Sequence, residues 1–253
     1  MTNTPSYCPI AVCAREGGPA DRATALSKRL DVPLVSEPGE GLTLLWEAEG
    51  LSLCGFGLSF RGDFEPILRR VTGGRLPHEM LAHLAKTREP HPTAIDATAG
   101  MGEDSFLLAA CGYEVTLYEQ NPVIAALLRD ALDRAGRHPA LSDIAARMHL
   151  IEGDSIAGMR EGTASPDLIY LDPMFPARQK SGLINKKLQL IQKLEHPCVE
   201  EEALLSAAIG LEPGKIIIKR PLKGAVLAGK TPHYTVRGKA IRYDCFAFPK
   251  KDR

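Results

Sequence analysis

The segment Asp167-Leu-Ile-Tyr-Leu-Asp-Pro-Met-Phe-Pro176 ends a short apolar run abruptly in a carboxylate, a proline, an aromatic ring and a second proline. Leu168 to Leu171 has the length and composition of a buried parallel strand. Pro173 cannot donate a ladder hydrogen bond and biases Asp172 towards extended backbone, so the strand should stop there. Ligands of open α/β sheets bind outside the carboxyl ends of the strands. Asp172 and Phe175 are therefore expected at the mouth of a binding crevice. Whether Asp172-Pro173 is chemistry or merely a strand-terminating turn depends on the rest of the chain, and a turn alone gives no reason for the aromatic that follows.

A second chemical element lies upstream. Thr93 to Thr98 reads as a strand that Asp96-Ala-Thr-Ala-Gly-Met-Gly-Glu-Asp104 turns into a helix from about Glu103 to Cys111. Gly100 and Gly102 allow a tight turn and close approach of a ligand to backbone amides. The pattern departs from a dinucleotide fingerprint. It lacks the third glycine, and Glu103 and Asp104 stand where a pyrophosphate would meet the helix N-terminus. Two carboxylates there suit a ligand without phosphate that carries a positive amino group. Tyr113 to Tyr118 is the next strand and ends in Glu119, about 17 residues past Gly102. A carboxylate at that tip can accept both hydroxyls of an adenosine ribose. Met148 to Ile151 is a third strand, and Asp154 at its tip is placed for an adenine amino group. Ser155 caps the next helix or adds a hydrogen bond. A nucleoside without phosphate, bearing a cationic amino acid, describes S-adenosylmethionine; NAD and a vestigial site fit less well.

Asp172-Pro-Met-Phe-Pro176 is similar to the Asn/Asp-Pro-Pro-Phe/Tyr signature of methyltransferases that modify exocyclic amino groups of bases. The chain resembles more closely the family of ribosomal RNA small subunit methyltransferase J, guanine-N2 methyltransferases of 16S rRNA. The resemblance rests on residues 96–104, Pro122-Val-Ile-Ala-Ala-Leu-Leu128, Tyr170 to Pro176 and Ile218-Lys-Arg-Pro221, and covers about residues 60 to 248. It implies that Glu103, Asp104, Glu119, Gln120, Asp154, Ser155 and Asp172 contact S-adenosylmethionine, and Asp96, Gly100 and Gly102 of the glycine loop are expected to join them. Glu103 and Gln120 depart from it, since the family usually has a basic residue and an arginine there. The resemblance further implies that Asp172 and the Pro173 carbonyl accept hydrogen bonds from the amine while Phe175 stacks on a splayed-out base. Arg178, Lys180, Lys186 and Lys187 follow directly, and Lys219 and Arg220 end the strand Lys215 to Lys219. These six cations are expected to contact the rRNA backbone, although a solvated connector and a surface strand end are the plainer readings. The other readings of the motif are an amino-methyltransferase of DNA or tRNA, and a catalytically silent ribosome-assembly factor.

The elements that must position these groups alternate strand and helix. With Tyr234 to Val236 and Ile241 to Phe248 as a final antiparallel pair, they predict a Rossmann-like class I methyltransferase fold. Its sheet would be seven-stranded and mostly parallel, in a domain of residues 91–253. Residues 1–90 read as a small N-terminal α+β domain with strands near Ala11–Cys13, Pro33–Val35, Leu42–Glu47 and Leu51–Cys54, and a helix Asp21 to Leu30. Phe60 to Phe64 and Arg69-Arg-Val-Thr-Gly-Gly-Arg75 read as a loop that could grip phosphate or merely connect. Leu76 to Thr87 reads as a helix. With 31 Lys+Arg against 31 Asp+Glu, net charge is zero, so any basic footprint must be local. The six cysteines form no C-x-x-C pair, which argues against a metal site. No signal peptide or apolar span of roughly 20 residues is present, and a cytoplasmic enzyme is expected.

Overall fold

The computed structural model describes residues 10–174, 190–191, 194 and 200–249. Two compact units emerge. One holds the chain up to Asp63 together with Asn121–Arg134; the other holds Phe64–Gln120 and most of the described chain after Ala135.

The first unit contains a five-stranded sheet built from β1 (Ile10–Ala14), β2 (Leu34–Val35), β3 (Leu42–Glu47), β4 (Gly50–Gly55) and β5 (Leu58–Phe60), in the order β2-β1-β3-β4-β5. Helix α1 (Ala20–Leu30) buries Ala23 and Leu26 and starts at Pro19, with Asp21 in its first turn instead of at its cap. Its C-cap, Asp31, sits in the left-handed region at φ 53°. Strand β5 takes Phe60, the first residue of the stretch expected as a loop. Its neighbour α2 (Glu65–Val71), in the second unit, likewise places Arg69 and Arg70 on a helix, with Pro66 in its first turn. The expected helix over 76–87 is a 3₁₀ turn, Leu76–His78, followed by α3 (Met80–Leu84).

The second unit is organised by strands β6 (Thr93–Asp96), β7 (Glu114–Glu119), β8 (Met148–Glu152), β9 (Leu168–Leu171), β10 (Lys215–Pro221), β11 (Tyr234–Arg237) and β12 (Ile241–Ala247). They form a seven-stranded sheet in the order β11-β12-β10-β9-β6-β7-β8. The five strands from β10 to β8 run parallel, and β12 pairs antiparallel to both β10 and β11. This is the class I methyltransferase sheet, with its antiparallel terminal hairpin, that the pattern of apolar runs predicts. Helices α4 (Glu103–Ala110), α6 (Ser142–Ala145), α7 (Ser155–Glu161) and α8 (Glu201–Gly210) connect the strands; α5 (Pro122–Ala135) lies almost wholly in the first unit.

The apolar runs of β9 and β10 are buried on both faces, as parallel strands covered by helices must be. Ile169, Leu171, Ile216 and Ile218 join Leu204, Leu205 and Ala208 of α8 in one core cluster. Burial of that many branched side chains fixes the register of β9 on β10, and the register fixes the site. Ile218 lies opposite Leu171, so Lys219 and Asp172 emerge side by side from the same sheet edge. Within the first unit, the Asp130 carboxylate of α5 accepts from the Leu51 amide at 3.1 Å and from Arg134 Nε at 2.8 Å. Asn121 caps α5, its Oδ1 accepting from the Val123 amide at 3.0 Å.

Candidate active site

Strand β6 has β7 on one side and β9 on the other, while the chain passes from β6 through α4 to β7. The sheet order therefore reverses between β6 and β9, where an open α/β sheet forms its crevice. The loop after β6 and the motif after β9 meet there. Thr98 Oγ1 accepts the Asp172 backbone N–H at 2.6 Å, stitching one to the other.

Asp96, expected among the cofactor contacts, lies beneath the loop with 1% of its surface exposed. Its Oδ1 accepts from the Thr98 amide at 3.0 Å and its Oδ2 from Ser105 Oγ at 2.5 Å. It thus fastens both ends of the glycine turn and has no surface left for a ligand. Burial pushes its pKa up from 3.8 to about 7, against the lowering effect of those two hydrogen bonds. A carboxyl raised in this way favours the fold most at pH values below 3.8, and that contribution is lost as pH rises through about 7. Asp96→Asn can keep both hydrogen bonds, since the Ser105 hydroxyl rotates to accept from the amide. In urea unfolding, Asp96→Asn is expected to gain on the native chain by up to a few kcal/mol between about pH 5 and pH 8. Parallel stability curves would show that Asp96 does not titrate in this range.

The turn itself needs its glycines. Gly100 and Gly102 stand at φ 53° and 76°, in the left-handed region that costs other residues energy. Gly102 donates back to the Ala99 carbonyl at 2.8 Å, and Gly100 donates to Glu119 Oε2 at 2.9 Å. Glu119, at the end of β7, is 9% exposed, so its carboxylate is both a brace for the loop and a buried acceptor at the crevice edge. Gln120 beside it is exposed, as is Glu103 at the start of α4. β8 pairs with β7 so that Glu152 lies opposite Glu119, which brings Asp154 to the neighbouring strand end. Asp154 is the N-cap of α7, its Oδ1 accepting from the Ile156 amide at 2.9 Å. The capping considered for Ser155 therefore belongs to Asp154, and Ser155 is buried behind it.

Asp104 does not stand alone at the helix start. Its Oδ2 accepts from Tyr170 Oη at 2.7 Å and from Lys219 Nζ at 2.7 Å. The same Lys219 ammonium lies 3.0 Å from Asp172 Oδ2. Burial works against the charge on Lys219, but Asp104 and Asp172 outweigh it and raise its pKa, so it stays cationic. Burial raises the Asp172 carboxyl above the usual carboxylate value, with Lys219 opposing the shift. Lys219, expected on the rRNA backbone, is instead an internal cation of this cluster. Tyr170 and Thr98 were not singled out by sequence. Tyr170 looks like one more apolar residue of a buried strand, and only the position of α4 gives its hydroxyl a partner.

Arg220 faces the opposite side of β10. It is 2% exposed, and its guanidinium donates from Nε and Nη2 to the Ala225 carbonyl at 2.9 and 2.6 Å. Glu201 of α8 lies 3.5 Å from its Nη1. A strand sends adjacent side chains to opposite faces, so Lys219 and Arg220 cannot share one ligand. The RNA contact expected of Arg220 is replaced by a buried brace. Arg242 of β12 adds to it, donating from Nη1 to the Pro221, Leu222 and Gly224 carbonyls. Pro173 is buried directly after Asp172, and Met174 is exposed. Phe175, Arg178, Lys180, Lys186 and Lys187 lie outside the described residues.

The donor set fits S-adenosylmethionine. Glu119 is a buried carboxylate at the position for a ribose diol, two positive-φ glycines open the loop backbone, and Glu103 and Asp104 put two carboxylates at the start of α4, where a phosphate would be repelled. Among the described residues no His, Cys, Asp or Glu cluster could hold a metal, and no helix is long and apolar enough to cross a membrane.

The model of a putative SAM-dependent methyltransferase family matches residues 36–248. Ribosomal RNA small subunit methyltransferase J of Pseudomonas aeruginosa is 39% identical over 241 residues, covering 92% of this chain and 91% of the relative. The protein of that name from Alkalilimnicola ehrlichii is 40% identical over 240 residues, covering 88% and 90%. A crystal structure of the SAM-dependent methyltransferase NGO1261 from Neisseria gonorrhoeae superposes with a TM-score of 0.73 at 31% identity, over 96% of this chain and 97% of that one. By fold, by site geometry and by near-full-length similarity, the chain belongs to the S-adenosylmethionine-dependent ribosomal RNA small subunit methyltransferase J family.

Proposed function

We propose that the protein transfers a methyl group from S-adenosylmethionine to the exocyclic N2 amine of a guanine in 16S rRNA of the small ribosomal subunit, in the cytoplasm. The observation that carries the reading is the hydrogen bond from the Asp172 amide to Thr98 Oγ1 at 2.6 Å. It joins the Asp-Pro motif to the glycine loop, so the group that would hold an amine abuts the group that would hold the cofactor. The relatives' name supports rRNA of the small subunit as the acceptor.

When bound, S-adenosylmethionine supplies an electrophilic methyl group on a positively charged sulfur. Glu119, the backbone of the turn at Gly100 and Gly102, and Asp154 would hold it. The amine of guanine is a poor nucleophile because its lone pair is delocalised into the ring. Asp172 and the Pro173 carbonyl accept its N–H groups, which aims the lone pair and stabilises the positive charge that develops on nitrogen. The displaced proton leaves to water, and no strong general base is needed. Phe175 is the proposed stacking surface. Arg178, Lys180, Lys186 and Lys187 are the proposed grip on the RNA backbone, where local positive charge must compensate for a neutral chain.

The test is transfer of labelled methyl to 16S rRNA, 30S particles, tRNA and DNA, followed by nucleoside digestion. N2-methylguanosine from 16S rRNA or 30S particles is the expected product. Label confined to DNA or tRNA would overturn the substrate, and no label in any acceptor would favour a silent assembly factor.

A further inference from the structure

Lys219 touches two carboxylates that belong to different parts of the site. Asp104 opens the helix after the glycine turn, and Asp172 carries the motif proposed to hold the amine. Both Oδ2 atoms approach one ammonium, at 2.7 and 3.0 Å, and Tyr170 Oη holds the Asp104 oxygen from the β9 side. All three anchors are fixed by sheet register and by helix α4, so the ammonium sits between two walls that cannot easily separate. Resting on the function proposed above, we propose that Lys219 is a positioning residue that keeps Asp172 an ionised hydrogen-bond acceptor aimed into the crevice.

Without that ammonium the two carboxylates would face each other across a partly buried gap. Two carboxylates sharing a site cannot both stay ionised at low cost, and one takes up a proton. A protonated Asp172 presents an O–H to an amine whose own N–H groups need an acceptor. The other charged and titratable groups around the pair do not substitute for Lys219. Tyr170 and Tyr243 are held neutral by burial. Arg70 forms a bidentate pair with Glu79 at 2.9 and 2.8 Å, and Arg220 is held by the Ala225 carbonyl and the Glu201 carboxylate. Asp96 adds only further negative or neutral character from below.

The test uses the full chain with saturating cofactor and 16S rRNA, measured between about pH 5.5 and 9. Lys219→Met is expected to lose about 30-fold or more in kcat at pH 7, with activity recovering as pH rises and the acid limb of the profile displaced upward by at least about one unit. Lys219→Arg should remain within about fivefold of the native chain. Asp104→Asn, which leaves the ammonium to Asp172 alone, is expected to move the acid limb in the opposite direction, and it decides the matter if Lys219→Met does not fold. An unmoved acid limb in both variants would overturn the proposal. A second readout needs no acceptor or cofactor. The urea midpoint of Lys219→Met should fall further below that of the native chain at pH 8 than at pH 5, and equal deficits at both pH values would also overturn the proposal. If the native chain methylates no 16S rRNA, the proposed function fails while this stability measurement still decides the role of Lys219.

Discussion

Asp172→Ala is expected to lower methyl transfer to 16S rRNA by about 100-fold or more, with cofactor affinity kept within about tenfold. The expectation follows from what the substitution removes and what it leaves. It removes the carboxylate proposed to accept the amine N–H groups, an interaction that strengthens as charge develops on nitrogen. It leaves the Asp172 backbone N–H on Thr98 Oγ1, because that bond needs no side chain. It also leaves Lys219 paired to Asp104 and Tyr170 bonded to the same carboxylate, so the start of α4 keeps its anchors. Asp172→Asn should lie between the two, losing about tenfold, because an amide oxygen still accepts a hydrogen bond but carries no charge. Single-turnover transfer with labelled cofactor separates these effects from binding. Equal incorporation by Asp172→Ala and the native chain would sink the mechanism.

How much of this site could be read from the chain depends on the range of the interaction. Local patterns were sufficient where one element determines its own end. The apolar run before Asp172, the two glycines after β6 and the acidic tip of β7 each mark a strand terminus. Three such termini on a parallel sheet converge whatever the details of packing. Contacts made between elements were not legible. Lys219 and Arg220 look alike in sequence as two cations at a strand end, yet β10 sends one into the crevice and the other behind it, onto the Ala225 carbonyl and Glu201. The alternation of side chains along a strand would have separated them had the strand been extended to Pro221. Asp96 is an acidic residue like Glu119 and ends a neighbouring strand, but the serine nine residues on, Ser105, captures it beneath the loop. Helix α2 was concealed by its own Arg69 and Arg70 and by the glycines and arginine that follow it, although Glu65-Pro66 is a conventional first turn. Strand β5 has three residues, too few for a periodic signal, and it exists because β4 offers an edge to pair with.

The other large effect is expected at Glu119. Its carboxylate has two tasks that a single substitution separates. One is internal, since Oε2 accepts the Gly100 amide at 2.9 Å and so holds the turn at the residue where the backbone enters its left-handed conformation. The other is the proposed grip on the ribose hydroxyls. Glu119→Ala abolishes both, leaving the Gly100 N–H without this acceptor in a partly buried place, at a cost of about 1–3 kcal/mol. The loss of a charged acceptor for two hydroxyls adds a comparable amount. Together they predict a rise in the S-adenosylmethionine dissociation constant of about 100-fold or more, and disappearance of the thermal stabilisation that the cofactor confers. Glu119→Gln can still accept from Gly100 through its amide oxygen, so it should retain the turn and weaken binding by only about tenfold. Gln120→Ala, one residue on and exposed, is expected to change the dissociation constant by less than about threefold. Titration calorimetry of the three variants reads the ranking directly. If Glu119→Ala binds as tightly as the native chain, or if Gln120→Ala proves the more damaging, the ribose is held elsewhere and the assignment of Glu119 to the cofactor fails.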